Sequence, residues 1–314
     1  MASEKASVCQ WTNQAQALAA FAGFTGKTQS ANHIKPLHWY VACRLVIEGG
    51  FHPDDITPRP PFKVVRQNNQ DHLVFDPSLG RGGEMTVLGG LKTKNVDVVV
   101  TRKGLGPVLA ISCKGVTKAF RNLTNRMEET IGECTNLHIT YPALVLGFFV
   151  IIRANRMTEE VLAGTDDEEA EPMEVMAKND VALTEGGEPI AGIIRFHNAL
   201  QELTGRHGIR DDISRYEAVA LSMVDMRADA RGEASTLYPD EHSRLRLERF
   251  FDTLYLRYDE RYVFSAPDLK RVTRRLEWSP VSPAFVGASA VDSLDYSARV
   301  LASIADEAVD GDEA

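Results

Sequence analysis

Apolar positions along the chain follow two periods, and the way they alternate outlines an α/β protein. Residues 36–48 (PLHWYVACRLVIE) carry Leu37, Val41 and Leu45 at helical spacing and run into the helix stop Gly49-Gly50. FKVVR at 62–66 and HLVFD at 72–76 read as a strand pair around QNNQ. Within 96–115, VDVVVT and VLAISCKG are mostly β-branched or apolar and flank the turn RKGLGP, which predicts a hairpin. A helix over about 117–138 follows, with Phe120, Leu123, Met127, Ile131 and Cys134 as its buried stripe. The run ALVLGFFVII at 143–152 is too short for a membrane helix and suits a central strand. The pattern then predicts a helix over 190–204, a strand over 216–226, a long helix over 240–260 and a last helix over 291–305. This order predicts an α/β fold, a mixed β-sheet flanked by helices, with C-terminal helical additions. Residues 1–30 read as an N-terminal extension with a short helix around Gln14–Phe21. Residues 31–265 form the main domain, and 266–314 a basic segment, the final helix and an acidic tail.

Charge changes the picture once it is placed. The net charge is −9. Residues 157–189 hold eleven acids and one lysine, and 303–314 hold five acids and no base, so the remaining body is near +6. A mildly basic body permits a phosphate-binding face. The 157–189 stretch reads as a solvated surface insert. Four cysteines at 9, 43, 113 and 134 show no CxxC spacing, which argues against a zinc site or a disulfide framework. No signal peptide or membrane span is evident, so a cytoplasmic location is expected. GFTGKT at 23–28 is not a P-loop, because Phe21 stands where its first glycine belongs.

The candidate chemistry lies in the hairpin. Side chains alternate along a strand, so Ser112 and Lys114 share one face and Cys113 takes the other. A lysine at the end of an otherwise apolar strand is costly to bury unless it has a task. Asp97 near the start of one strand and Lys114 near the end of the next place a carboxylate for a cation beside an ammonium for water or phosphate.

Over about 95–153 this arrangement resembles the PD-(D/E)XK nuclease superfamily, and within it the type II restriction endonucleases, whose core order is α-β-β-β-α-β. Asp97 matches the family aspartate and Lys114 the lysine of its acid-any-lysine triplet. Val96 replaces a proline, and Ser112 stands in the acid position. One branch of the family has this serine and takes its acid from the following helix, thirteen residues past the lysine, which here is Glu128. The resemblance implies a Mg²⁺-dependent endonuclease, with Mn²⁺ able to substitute. Such an enzyme would cut double-stranded DNA at specific sequences, act as a homodimer or higher oligomer, and have a cognate DNA methyltransferase. Asp97, Glu128 and the Cys113 carbonyl would hold metal, Lys114 would orient or help deprotonate water, and Ser112 would bind a metal-bound water. Glu48, Glu129 and Glu84 are the other candidates for the second acid. Lys118, Arg121, Asn122, Asn125 and Arg126 on the helix, Arg81 in the glycine-rich SLGRGGEM stretch, and Arg246, Arg249 and Arg274 further on are the candidate DNA contacts. Two other readings stay open: another nuclease of this fold, for defence or repair, and an inactive module that binds DNA or a partner.

Overall fold

The structure, a computed structural model, describes residues 13–26, 31–118, 120, 123–157, 178–286 and 294–302. In chain order its main elements are α1 (Gln14–Gly23), α2 (Lys35–Ile47), β1 (Ile56–Thr57), β2 (Phe62–Gln67), β3 (Gln70–Phe75), β4 (Met85–Val87), β5 (Lys94–Val96), β6 (Val98–Arg102), β7 (Gly106–Val116), α3 (Leu123–Thr140), β8 (Val145–Ala154), α4 (Ala191–Glu202), β9 (Ala218–Asp225) and α5 (Leu247–Asp259). Five strands form one mixed sheet in the order β1-β6-β7-β8-β9. β1–β6 and β6–β7 pair antiparallel, and β7–β8 and β8–β9 parallel. Every residue of β8 and β9 is buried, as expected for parallel strands covered on both faces.

Strand alternation sorts the core into two layers. Val98, Val100, Leu109, Ile111, Cys113, Phe149 and Ile151 pack against α1, α2 and α5. Val99, Ala110, Leu146, Phe148, Val150 and Ile152 pack against α3 and α4. The expected hairpin at 62–76 forms as a separate two-stranded ribbon, β2–β3, turned by Asn68 and Asn69 at φ 49 and 61. β4 and β5 form a second ribbon out of the glycine-rich stretch and the residues that follow it.

The C-terminal end of α2 is closed by residues far along the chain. The Trp278 indole N–H donates to the carbonyls of Val46 and Ile47, and the Arg299 N–H to that of Ile47, which satisfies acceptors a helix end leaves open. Gly50, at φ +67, lets the chain pass there. A Cβ on it would lie 2.2 Å from the Leu276 carbonyl oxygen. Asp295 accepts from the Tyr40 hydroxyl at 2.7 Å and pairs with Arg44 at 3.3 Å, so residues 294–302 form an extended strap across α2.

That strap corrects the last-helix expectation. Among the described residues of 291–305, 294–302 are not helical, because their backbone pairs instead with Trp278 and α2. The helix expected over 240–260 begins only at Leu247, since 240–246 are turns anchored by Asp240 and Ser243. The reading of 157–189 as a solvated insert fails at its C-terminal part. Val181, Ala182 and Leu183 are buried, and the N–H groups of Ala182 and Leu183 donate to the Asn155 carbonyl. Three consecutive small or apolar residues won that segment a place in the core despite its acidic neighbours, and residues 158–177 lie outside the described ones.

At the N-terminal end of the parallel strands sits a buried ion cluster. Glu217 pairs at 2.7 Å with both Arg206 and Arg261, accepts from the Leu146 N–H at 2.6 Å and lies 3.7 Å from His138. Burial opposes its charge, but His138, Arg261 and the Leu146 N–H together hold the carboxyl below its usual range. No helix among the described residues is long and apolar enough to cross a membrane.

Candidate functional site

The opposite, C-terminal end of β7 gathers the hairpin chemistry. Asp97 sits at a bend between β5 and β6, where the chain leaves one ribbon and joins the main sheet. Its backbone is outside both ladders, which frees the side chain to reach across. Asp97 Oδ2 accepts from the Cys113 N–H at 2.7 Å and lies 3.7 Å from Lys114 Nζ. Ser112 turns toward α3, and Cys113 toward the α1–α2–α5 layer, as the alternation requires.

The acid that α3 brings to this place is Glu133. Its carboxylate accepts from the fully buried Ser112 hydroxyl, and its other oxygen lies 2.7 Å from Lys94 Nζ. The carboxylate therefore stands beside the strand position where the family pattern has its acid. Asn136, one turn on, holds the loop before Lys94, because its side chain accepts from the N–H groups of Leu91 and Lys92 and donates to the Lys92 carbonyl. Glu133 is near enough to Asp97 and Lys114 to bias both groups. Burial above all, with the like charge of Glu133 adding to it, pushes the Asp97 carboxyl above its ordinary range despite Lys114, the Cys113 N–H and Lys94. Burial disfavours the Lys114 ammonium, but Asp97 and Glu133 outweigh it and raise its pKa. Lys114 is thus held protonated, which suits it to donating a hydrogen bond rather than to acting as a base.

Glu128, the expected acid, is exposed and is not brought to this cluster. α3 starts at Leu123 rather than Thr117, and its inward face runs through Thr130, Glu133, Cys134 and Leu137. Glu129, four residues before Glu133, lies on that side and lines a small cavity with Lys94, Lys114, Arg126 and Glu133. Glu48 is also elsewhere. It pairs with Arg44 at 2.7 Å and accepts from the Tyr255 hydroxyl at 3.0 Å, ten residues along α2 from His38, or about 15 Å.

His38 is a member that the sequence pattern did not single out. Its Nε2 faces Asp97 Oδ1 at 3.4 Å, is buried and makes no hydrogen bond. Desolvation lowers its pKa to about 4, so the ring is neutral. A neutral imidazole nitrogen and a carboxylate oxygen converge here as two electron donors without a hydrogen bond between them. Among the described residues no three His, Cys, Asp or Glu side chains are grouped closely enough for a closed metal cage. The arrangement fits a Mg²⁺-like ion, which takes one or two carboxylates and fills its remaining positions with water and phosphate oxygens.

A cavity of about 360 Å³ lies over this cluster, lined among others by Glu84, Asp97, Cys113, Lys114, Lys118 and Arg126. Lys118 and Arg126, two of the expected phosphate contacts, are thus brought to the site. Arg81 lines an adjoining cavity with His38 and Glu84. Asn125 is exposed on α3 and lines neither. Arg246 pairs with Glu248 at the start of α5, Arg249 is exposed one turn on, and Arg274 lies past the far end of α2 beside Arg66 and Asn69. None of the three lines these cavities. Arg121 and Asn122 lie outside the described residues.

Compared with protein-family models, curated proteins and solved structures, the chain finds no match.

Proposed function

We propose that the protein is a metal-dependent phosphodiesterase that cuts double-stranded DNA at specific sequences, as type II restriction endonucleases do. One observation supports this reading above the others: a helix-borne carboxylate, Glu133, is bonded to Ser112 and lines a small cavity with Lys114, whose Nζ lies 3.7 Å from Asp97. Asp97, Glu133, His38 and the Cys113 carbonyl are the groups that would hold Mg²⁺ or Mn²⁺. When bound, the ion supplies positive charge to the phosphate and lowers the pKa of water. Lys114, held protonated, orients the attacking water and offsets the charge that builds on phosphate as the new P–O bond forms and the ester P–O bond breaks. Lys118 and Arg126 neutralise flanking phosphates. The imidazole nitrogen makes Mn²⁺ at least as good as Mg²⁺. A homodimer would cut both strands of a two-fold site, and a cognate methyltransferase would protect the host sequence.

The test is incubation of purified protein with methylation-free phage DNA and Mg²⁺ or Mn²⁺. Discrete fragments, lost in Asp97→Ala and Lys114→Ala variants that stay folded, support the reading. A smear points to a less specific nuclease of the same fold. A second reading, an inert module that binds DNA, is favoured by the charge balance, since each carboxylate already has a lysine. Binding without cleavage in any divalent cation would establish it.

A further inference from the structure

A second cavity, of about 480 Å³, opens beside the candidate site. It is lined by Lys35, His38 and Trp39 of α2, by Pro58, and by the stretch Gly80–Glu84. The two cavities share Glu84, and His38 stands between them, one ring edge toward Asp97. Whatever occupies the second cavity is therefore a neighbour of whatever sits at Asp97 and Lys114.

Its lining has the parts of a base-stacking platform. Trp39 is partly buried, and among the described residues no ring, cation or hydrogen-bond partner engages its indole. Trp278 shows the structural alternative, with its ring fully buried and its N–H bonded to two carbonyls. Lys35 and Arg81 are exposed at the cavity, and neither pairs with a carboxylate among the described residues. The facing loop is kept bare by Gly82, at φ +87, and by Gly83, where an added Cβ would meet nothing within 4 Å. An aromatic face, two cations without a carboxylate partner and an open pair of glycines, with the acid Glu84 beside them, suit a flat ligand with an anionic backbone. They offer few groups to read its edges.

We propose that this cavity receives an unpaired nucleobase, stacked on Trp39, from the strand whose phosphate lies at Asp97 and Lys114. Lys35 and Arg81 hold the phosphates on either side of that base. The proposal rests on the phosphodiesterase reading and adds to it that one base of the bound duplex leaves the stack next to the cut. A paired base has both faces covered and offers the indole nothing, whereas stacking on an aromatic side chain tolerates any unpaired base.

Equilibrium binding of the full chain tests it, in Ca²⁺, with a fluorescein-labelled duplex carrying a single-stranded gap and the same duplex fully paired. Wild type should prefer the gapped duplex. Trp39→Ala should lose roughly 10-fold on the gapped duplex and so bind the two alike, and Trp39→Phe should keep most of the preference. Tryptophan fluorescence should be quenched by gapped DNA in wild type and much less in Trp39→Ala. Melting curves check that both variants fold. Equal binding of the two duplexes by wild type, or an unchanged preference in Trp39→Ala, overturns the proposal. Plasmid cleavage measured alongside separates the two failures. Cutting without a Trp39-dependent preference removes the base pocket alone, and a protein that neither cuts nor binds removes both. A Trp39-dependent preference without cutting keeps the pocket and removes the phosphodiesterase.

Discussion

Exchanging the two helix glutamates is the most direct trial of the site geometry. Glu133→Ala removes the carboxylate that the Ser112 hydroxyl donates to. Ser112 is fully buried, so its hydroxyl is left without an acceptor, at about 1–3 kcal/mol. Lys94 loses its 2.7 Å partner, but its side chain is 31% exposed and turns to water at little cost. Melting should drop by roughly 2–4 °C per kcal/mol. Glu133→Gln keeps an acceptor for Ser112, so its loss should stay under about 1 kcal/mol. Both variants remove a carboxylate that we propose holds the cation, and should slow cleavage at least ~100-fold, about 2.7 kcal/mol in barrier. Glu128→Ala, on an exposed side chain, should stay within about 0.5 kcal/mol of wild-type stability and keep wild-type cutting. Ser112→Glu combined with Glu133→Ala places an acid on the strand, in the volume the helix glutamate vacates, and should recover part of the rate. The assays are supercoiled-plasmid relaxation across a Mg²⁺ and Mn²⁺ series and thermal melting of the same samples. An inactive Glu128→Ala beside an active, folded Glu133→Gln would refute the assignment.

The described contacts lead to four further outcomes. Burial keeps the Asp97 carboxyl above its ordinary range, so the native protein binds that proton more tightly than the unfolded chain, and stability falls as pH rises through the window between the two values. Asp97→Asn should therefore abolish cleavage yet raise the melting temperature at neutral pH, with the gap closing as pH falls through the carboxylate range; a lower melting temperature at neutral pH contradicts this. Glu217→Gln leaves Arg206 and Arg261 buried without a counter-charge and should cost about 3–5 kcal/mol by urea unfolding. Because the Glu217 carboxyl is held below its usual range, its contribution is present above the ordinary glutamate range and fades as pH falls toward the depressed value, so wild type and variant should converge in acid. Leu183→Ala should cost about 2–5 kcal/mol, and deletion of 160–187, which removes buried Val181–Leu183, should unfold the protein by circular dichroism rather than leave it intact.

The strands of the main sheet were legible because burial on both faces demands long β-branched and apolar runs, and 145–154 and 218–225 show them. Asp97 and Lys114 were legible for the opposite reason, as charges where such runs should be apolar. Glu133 was not. A stripe of apolar residues locates a helix face only when that face buries apolar groups, and the inward side of α3 also buries Thr130, Glu133, Asn136 and His138. The available signal was Ser112 itself, a small hydroxyl in a buried strand, which leaves both room and a donor for an incoming carboxylate. His38 and Trp39 were hidden because α2 is buried around most of its girth, so periodicity gives it no outer face to read. The strap at 294–302 has no regular period, and only the distant α2 carbonyls that it satisfies give it a shape.

The closure of α2 has a consequence for the order in which the protein is made. The helix that carries His38 and Trp39 is finished by Trp278, 232 residues later, and by Asp295, 255 residues after Tyr40. Synthesis runs from the N-terminus, at ~5–20 residues per second, so the ribosome releases every residue of the candidate site well before the groups that close the helix beneath it. A nascent chain halted before residue 276 holds Asp97, Lys114 and Glu133 but neither the indole nor the strap. Non-local contacts of this span form late, and this delay would keep the cleft unfinished until translation is nearly through the region that seals it.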